Sequence, residues 1–222
     1  MLALRNLPGS IHFLLHETAK QCDADYVIID MSPSLGPLNQ NLLVTSDYFI
    51  VPLHPDYFSG MALSSLAKVL PRWKAWADTA FGIEMLTKAD YPFPKPNPKY
   101  IGAIIQKYRP RNGRASKAFQ RWIDALVSDL EKILVPALVK AKMLDTEEFK
   151  ERSDIEPWTP LLEVSDFNSL IAISQEHQVP IYSITANQAE QQGAVWEQTK
   201  YNMGEFRKAF ANCADKVIAL TE

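Results

Sequence analysis

The chain has 222 residues, of which 47% are hydrophobic and 22% charged, with a formal net charge of −3. Such a chain is an ordinary globular protein with enough length for one sizeable core, and its balance gives no global attraction to nucleic acid or membrane. Two distant cysteines, Cys22 and Cys213, exclude a disulfide framework or metal-type spacing, no apolar run nears the roughly 18 residues of a membrane span, and MLALRNLPGS is too short before Pro8 to be a secretory core, so a cytoplasmic protein is expected.

In chain order, residues 10–21 (SIHFLLHETAKQ) predict a helix with a Ser cap and an apolar face through Ile11, Leu14 and Leu15. DYVIID (25–30) predicts a strand buried on both faces that ends on Asp30, because Pro33 and Gly36 forbid its continuation. DYFIVP (47–52) predicts a second strand. Residues 59–80 predict a helix through Leu63, Leu66, Leu70, Trp73 and Ala77, kinked or divided at Pro71. YPFPKPNPK (91–99), with four prolines at alternate positions, reads as a stiff, extended surface loop. YIGAIIQ (100–106) is a third strand, and 116–135 is a helix that Pro136 interrupts. DIEPWTP (154–160) punctuates the chain before a helix over 167–177. VPIYSI (179–184) is a fourth strand, and 203–220 is the closing helix. Near-continuous apolar strands separated by helices predict a single α/β domain over 1–222, a mostly parallel sheet with helices on both faces.

In such sheets ligands sit at the carboxyl ends of strands. Two readings of Asp30 therefore stand. It could cap the following turn, as Asp often does, or it could hold Mg²⁺ through water where a nucleotide binds. SPSLG (32–36) also invites a serine-hydrolase reading with Ser34 as nucleophile. Ser32 replaces the first Gly of that motif, however, and neither His54 nor His177 is spaced as a base.

Over nearly forty positions, DYVIIDMSPSLGPLNQNLLVTSDYFIVPLHPDYFSGMAL resembles the Walker B and switch region of the ParA-type partition ATPases, the deviant-Walker group that includes the MinD-like proteins. The matching residues are Asp30, Pro33, Leu35, Gly36, Asn41, Ser46, Asp47, Pro52 and the run Pro55, Asp56, Tyr57. The resemblance implies a P-loop NTPase-like fold in which Asp30 is the Walker B acid, contacting Mg²⁺ through water. Pro33, Leu35 and Gly36 then form the switch that senses the γ-phosphate. Weaker similarity through YIGAIIQKYRPR and VPIYSITAN makes Gln106, Pro180 and Asn187 the candidate nucleotide contacts. The resemblance also implies ATP and Mg²⁺ as cofactors, a homodimer, a partition partner that stimulates ATP hydrolysis, and non-specific DNA binding with nucleoid association.

The family's K-G-G-x-G-K-[ST] phosphate loop is missing: the eight glycines, at 9, 36, 60, 82, 102, 113, 193 and 204, are never followed by Lys. Without the strand that carries this loop, residues 26–30 have an open edge in what should be mid-sheet. A truncated ATPase whose start was placed at an internal Met is the expectation preferred over re-paired strands or a second chain filling the gap. Such a chain should bind ATP weakly or not at all, and a non-catalytic interaction module derived from the fold is the alternative.

Lys107, Arg109, Arg111, Arg114 and Lys117 place five cations in eleven residues with no acid among them. They could clamp DNA phosphates or form a solvated basic loop. His12 and His16 lie one helical turn apart, but no third ligand accompanies them.

Overall fold

The structure, a computed structural model, describes residues 6–222 apart from 33, 109, 112, 113, 116 and 168, and describes no side chain over 107–116. The expectations for Pro33 and Arg109, and for the side chains of Lys107, Arg111 and Arg114, thus lie outside the described residues.

The elements run in the order α1 (Leu7–Cys22), α2 (Pro37–Thr45), β1 (Tyr48–Leu53), α3 (Tyr57–Phe81) and α4 (Glu84–Thr87). They continue with β2 (Lys99–Tyr108), the short hairpin strands β3 (Pro110–Arg111) and β4 (Arg114–Ala115), and α5 (Lys117–Asp129). A π turn (Leu130–Leu134) leads to α6 (Val135–Lys140), α7 (Thr146–Ser153), β5 (Leu162–Ser165), α8 (Leu170–His177), a 3₁₀ turn (Ile181–Ser183) and α9 (Gly193–Thr221). No helix among the described residues is long and apolar enough to cross a membrane.

The chain divides into two compact units. The first comprises Met1–Phe49, Leu63–Ile101 and Ile133–Asp145. Its core holds Val44, Leu63, Leu70, Phe93, Tyr100 and Leu138, all essentially buried. Helix α3 runs unbroken through Pro71, against the expected division. A proline inside a helix loses one backbone bond, and the buried stripe of Leu63, Leu70 and Ala77 on this long helix outweighs that loss. The Pro-rich segment was expected on the surface. Phe93, Pro96 and Pro98 are instead buried, and the Phe93 ring meets Trp76 edge-on at 6.1 Å. Prolines need no backbone donor satisfied, so an extended Pro-rich strand can enter a core without a ladder partner. Tyr100 is buried beside Phe49, and desolvation pushes its phenol well above the ordinary range.

The second unit comprises Ile50–Ala62, Gly102–Lys132 and Thr146–Glu222. It holds most of a three-stranded sheet of order β1-β2-β5 in which β2 and β5 run parallel, Ile104 opposite Leu162 and Gln106 opposite Val164. Ala103 and Ile105 are fully buried at its centre. The α/β class expected from sequence is thereby realised, with fewer strands.

Two predicted strands are not strands. Residues 24–32, which include DYVIID, carry no ladder at all; a strand is completed only by a hydrogen-bonded neighbour, and among the described residues none pairs with this segment. VPIYSI forms the 3₁₀ turn, with Pro180 at φ −57° as its cap. Its apolar side chains Val179, Ile181 and Ile184 enter a satellite core with Leu170, Met203 and Trp196 instead. Conversely, β5 was not predicted. Its four residues LEVS alternate Leu162 and Val164 inward, too short a pattern to stand out after DIEPWTP.

The helix expected over 116–135 ends in the π turn, which places Pro136 in the first turn of α6. A π turn widens the helix where the proline ring would otherwise strike the preceding carbonyl. The basic loop is in part an antiparallel hairpin, Arg111 opposite Arg114.

The carboxyl end of β1 passes into α3 through a reciprocal cap. Asp56 Oδ1 accepts the Ser59 N–H at 2.8 Å, and Ser59 Oγ accepts the His54 N–H at 3.0 Å. Asp56→Ala should therefore lower unfolding free energy by about 1 kcal/mol, read as a lower urea midpoint at unchanged slope. An unchanged midpoint would mean that water replaces the cap.

Candidate functional site

The segment around Asp30 belongs to the first unit. Asp23, in the left-handed conformation at φ 50°, ends α1. The chain then runs without strand partners to residue 32. Tyr26 is 50%, Val27 46% and Ile28 94% exposed, and Asp30 is exposed as well. Three apolar side chains in water where a strand was expected mark this segment as the site's unusual feature.

The turn beyond Asp30 is more ordered. Ser34 N–H donates to Ser32 O at 2.8 Å, and Gly36 (φ −79°, ψ 170°) caps α2 with Pro37 at its first position. Asn39, only 5% exposed, lies in the first turn of that helix. Its Nδ2 donates to Ser32 O at 2.5 Å and to Ser34 O at 2.7 Å, while Ser32 Oγ reaches its Oδ1 at 3.5 Å. Asn41 Nδ2 donates to Pro8 O at 2.8 Å and ties α2 to α1, whereas its buried Oδ1 has no partner among the described residues. Leu35 is exposed. Ser34 Oγ meets the Ser32 hydroxyl at 3.2 Å and, among the described residues, no imidazole, which leaves the hydrolase reading without its base.

The other candidates belong to the second unit. Gln106 is half-buried near the carboxyl end of β2, opposite Val164, with a register shift before Tyr108 meets Ser165. Pro180 and Asn187 are exposed on the turns after α8, and Asn187 O accepts the Glu190 N–H. Lys117 is exposed at the start of α5. On β5, burial raises the Glu163 carboxyl above its ordinary value, and the Asp124 charge adds to the shift.

A magnesium-bound triphosphate needs a nest of consecutive N–H groups and several oxygen ligands. Among the described residues no group of three or more His, Cys, Asp or Glu could hold a metal ion, and His12 and His16 only stack, ring centroids 6.1 Å apart. Gly9 and Gly60 lie inside helices and Gly36 caps one, so none of these forms a phosphate cradle. The described residues therefore do not by themselves fit Mg·ATP.

Asn39 is the residue that sequence reasoning missed. The available signal was an amide in the first turn of a short apolar helix, within reach of the preceding turn as capping-box side chains are.

The fold and the sequence of the Asp30 segment define a P-loop NTPase-like α/β protein. Residues 11–82 match a family model described as an AAA domain. Over 35 residues the chain is 60% identical to an uncharacterized protein of Methanocaldococcus jannaschii, a match covering 16% of this chain and 14% of that one. It is 37% identical over 67 residues to an uncharacterized protein of Pseudomonas putida, covering 30% and 26%. It is also 37% identical over 76 residues to the sporulation initiation inhibitor protein Soj of Bacillus subtilis, covering 33% and 30%. The matched regions span less than a third of these relatives' own lengths. No solved structure matches significantly. Over this segment the chain is thus similar to Soj and to the proteins that the family model describes.

Proposed function

We propose that this chain is part of a ParA/MinD-like ATPase that segregates plasmid or chromosomal DNA. In the intact form ATP bridges two subunits, Asp30 contacts Mg²⁺ through water, and Pro33, Leu35 and Gly36 form the switch. Gln106, Pro180 and Asn187 approach the nucleotide. The ATP-bound dimer holds DNA non-specifically through Lys107, Arg109, Arg111, Arg114 and Lys117, and a partition partner stimulates the hydrolysis that releases it. The observation that carries this reading is the register of Asp30, Leu35, Gly36, Asn41 and the Pro55–Tyr57 run within the matched residues 11–82. A non-catalytic module of the same fold is the second reading, favoured by the misfit between the described residues and Mg·ATP.

Nucleotide binding separates them. Titrated with a fluorescent ATP analogue and Mg²⁺, the 222-residue chain should show no saturation below roughly 1 mM, a binding energy of about 4 kcal/mol. Extended upstream through an in-frame K-G-G-x-G-K-[ST] in its genomic sequence, the protein should bind and hydrolyse ATP, and Asp30→Ala should then lower turnover by roughly 100-fold. An extended protein that carries the loop and binds no Mg·ATP overturns the ATPase.

A further inference from the structure

We infer that Asn39 is a positioning residue, a side-chain latch that holds the turn following Asp30 against the start of α2. The inference rests on the reading of this turn as the nucleotide switch. It adds that the resting arrangement is kept by one amide, whose two donated bonds any rearrangement has to break.

The geometry singles out this residue. A turn next to a strand is normally held by that strand's ladder, but residues 24–32 have none. Among the described residues, what remains between the turn and the helix is the Gln40 N–H to Gly36 O bond, which belongs to the helix itself, and the Asn39 amide. Both Asn39 donor protons are used on carbonyls two residues apart in sequence, so one planar group holds Ser32 O and Ser34 O together. Its acceptor faces the Ser32 hydroxyl. The side chain is nearly buried, so water cannot readily replace it there; without it Ser34 O would lose this donor and Ser32 O would keep the Ser34 N–H alone of the two it accepts here. Asn41, two residues on, donates to Pro8 instead. The two asparagines of α2 thus divide the work, Asn41 tying the helix to α1 and Asn39 tying the turn to the helix.

Asn39→Asp keeps the side-chain shape and the acceptor but removes both donors. Asn39→Ala removes them without introducing a buried charge, and keeps the protein testable should the first variant not fold. Asn41→Asp is the control. Amide hydrogen exchange followed by ¹H–¹⁵N spectra of the whole chain, without nucleotide, reports the latch. Both Asn39 variants should accelerate exchange at Ser34 and Gln40, whose N–H groups donate to Ser32 O and Gly36 O, by roughly 10- to 100-fold, the effect of losing the two Asn39 hydrogen bonds. Shifted or broadened resonances should be confined to that turn and the first turn of α2. Asn41→Asp should leave the turn within about twofold of the wild type while perturbing the contact with Pro8. Turn exchange unchanged in both Asn39 variants, or acceleration spread equally over α1 and β1, overturns the latch. Because no nucleotide is involved, this result is independent of the ATP titration: a latch together with an extended, loop-bearing protein that binds no Mg·ATP refutes only the ATPase, and ATP binding by that protein without a latch refutes only the role of Asn39.

Discussion

Replacing Gly102 with alanine should lower the unfolding free energy by about 2–5 kcal/mol, because two penalties fall on the same atom. Gly102 opens the portion of β2 in the second unit and has φ +130°, a region that side-chain-bearing residues enter only under strain of about 1–3 kcal/mol. A Cβ there would also lie 2.5 Å from Cγ and 2.7 Å from Cδ1 of Leu161, itself buried. Overpacking of this kind adds about 1–3 kcal/mol. The two terms can be separated. Leu161→Ala removes the clashing atoms, so in a double-mutant cycle the pair should lose at least 1 kcal/mol less than the sum of the singles, roughly the clash term. The remaining loss is the backbone term. Strict additivity would show that Leu161 had already moved aside, and a neutral Gly102→Ala would mean that the chain does not take this conformation in solution.

The same contact bears on the candidate site. Leu161 N–H donates to Ala103 O at 2.8 Å and leads directly into the β2–β5 ladder, where Gln106 stands opposite Val164. A slip of one residue in that ladder would turn Gln106 to the other face of the sheet. The position of the one candidate nucleotide contact on a strand thus depends on a glycine three residues inside the sheet's first buried turn of sequence, YIGAII.

How much of this was legible beforehand differs by element. The strands around Val51 and Ile105 and the helices around Leu63 and Leu126 follow from periodicity alone, because each buries its own apolar stripe whatever its neighbours do. DYVIID has an equally good strand pattern and forms none. A strand is completed only by a partner, and nothing within the segment reports whether one is present. VPIYSI failed for a related reason: an apolar run says that side chains go inside, and a 3₁₀ turn against α8 and α9 buries Ile184 and partly buries Val179 and Ile181 without any ladder. At the site, the resemblance pointed to Asp30 and its turn through residue types. It did not point to Asn39, whose role is a matter of where an amide reaches, not of its place in a pattern.

Gly9→Ala sets two general rules against each other, and magnitude decides the sign. Alanine is the better helix former, by about 0.8–1.0 kcal/mol in a helix interior, so propensity alone expects a more stable protein. The packing expects the reverse. A Cβ on Gly9 would lie 2.3 Å from the Tyr91 carbonyl oxygen and 2.4 Å from that of Pro92. Both are backbone atoms of the Pro-rich segment, just before the buried Phe93, and cannot swing away as a side chain could. Further bonds pin the two sides together: Asn6 Nδ2 donates to Asp90 Oδ2, Asn6 Oδ1 accepts the Asp90 N–H, each at 2.9 Å, and the Phe13 ring packs on Tyr91 at 4.9 Å. Helix α1 must therefore lift as a body, and the net loss should be about 2 kcal/mol after the propensity gain is deducted. Gly204→Ala is the matched control, since that glycine lies within α9 and a Cβ there meets nothing within 4 Å; it should gain about 0.5–1 kcal/mol. Equal gains at both positions would show that α1 does not rest on Tyr91 and Pro92. Opposite signs would place the packing of α1 above its intrinsic preference, and through the Asn41 bond to Pro8 that same packing supports the helix on which the Asp30 turn is held.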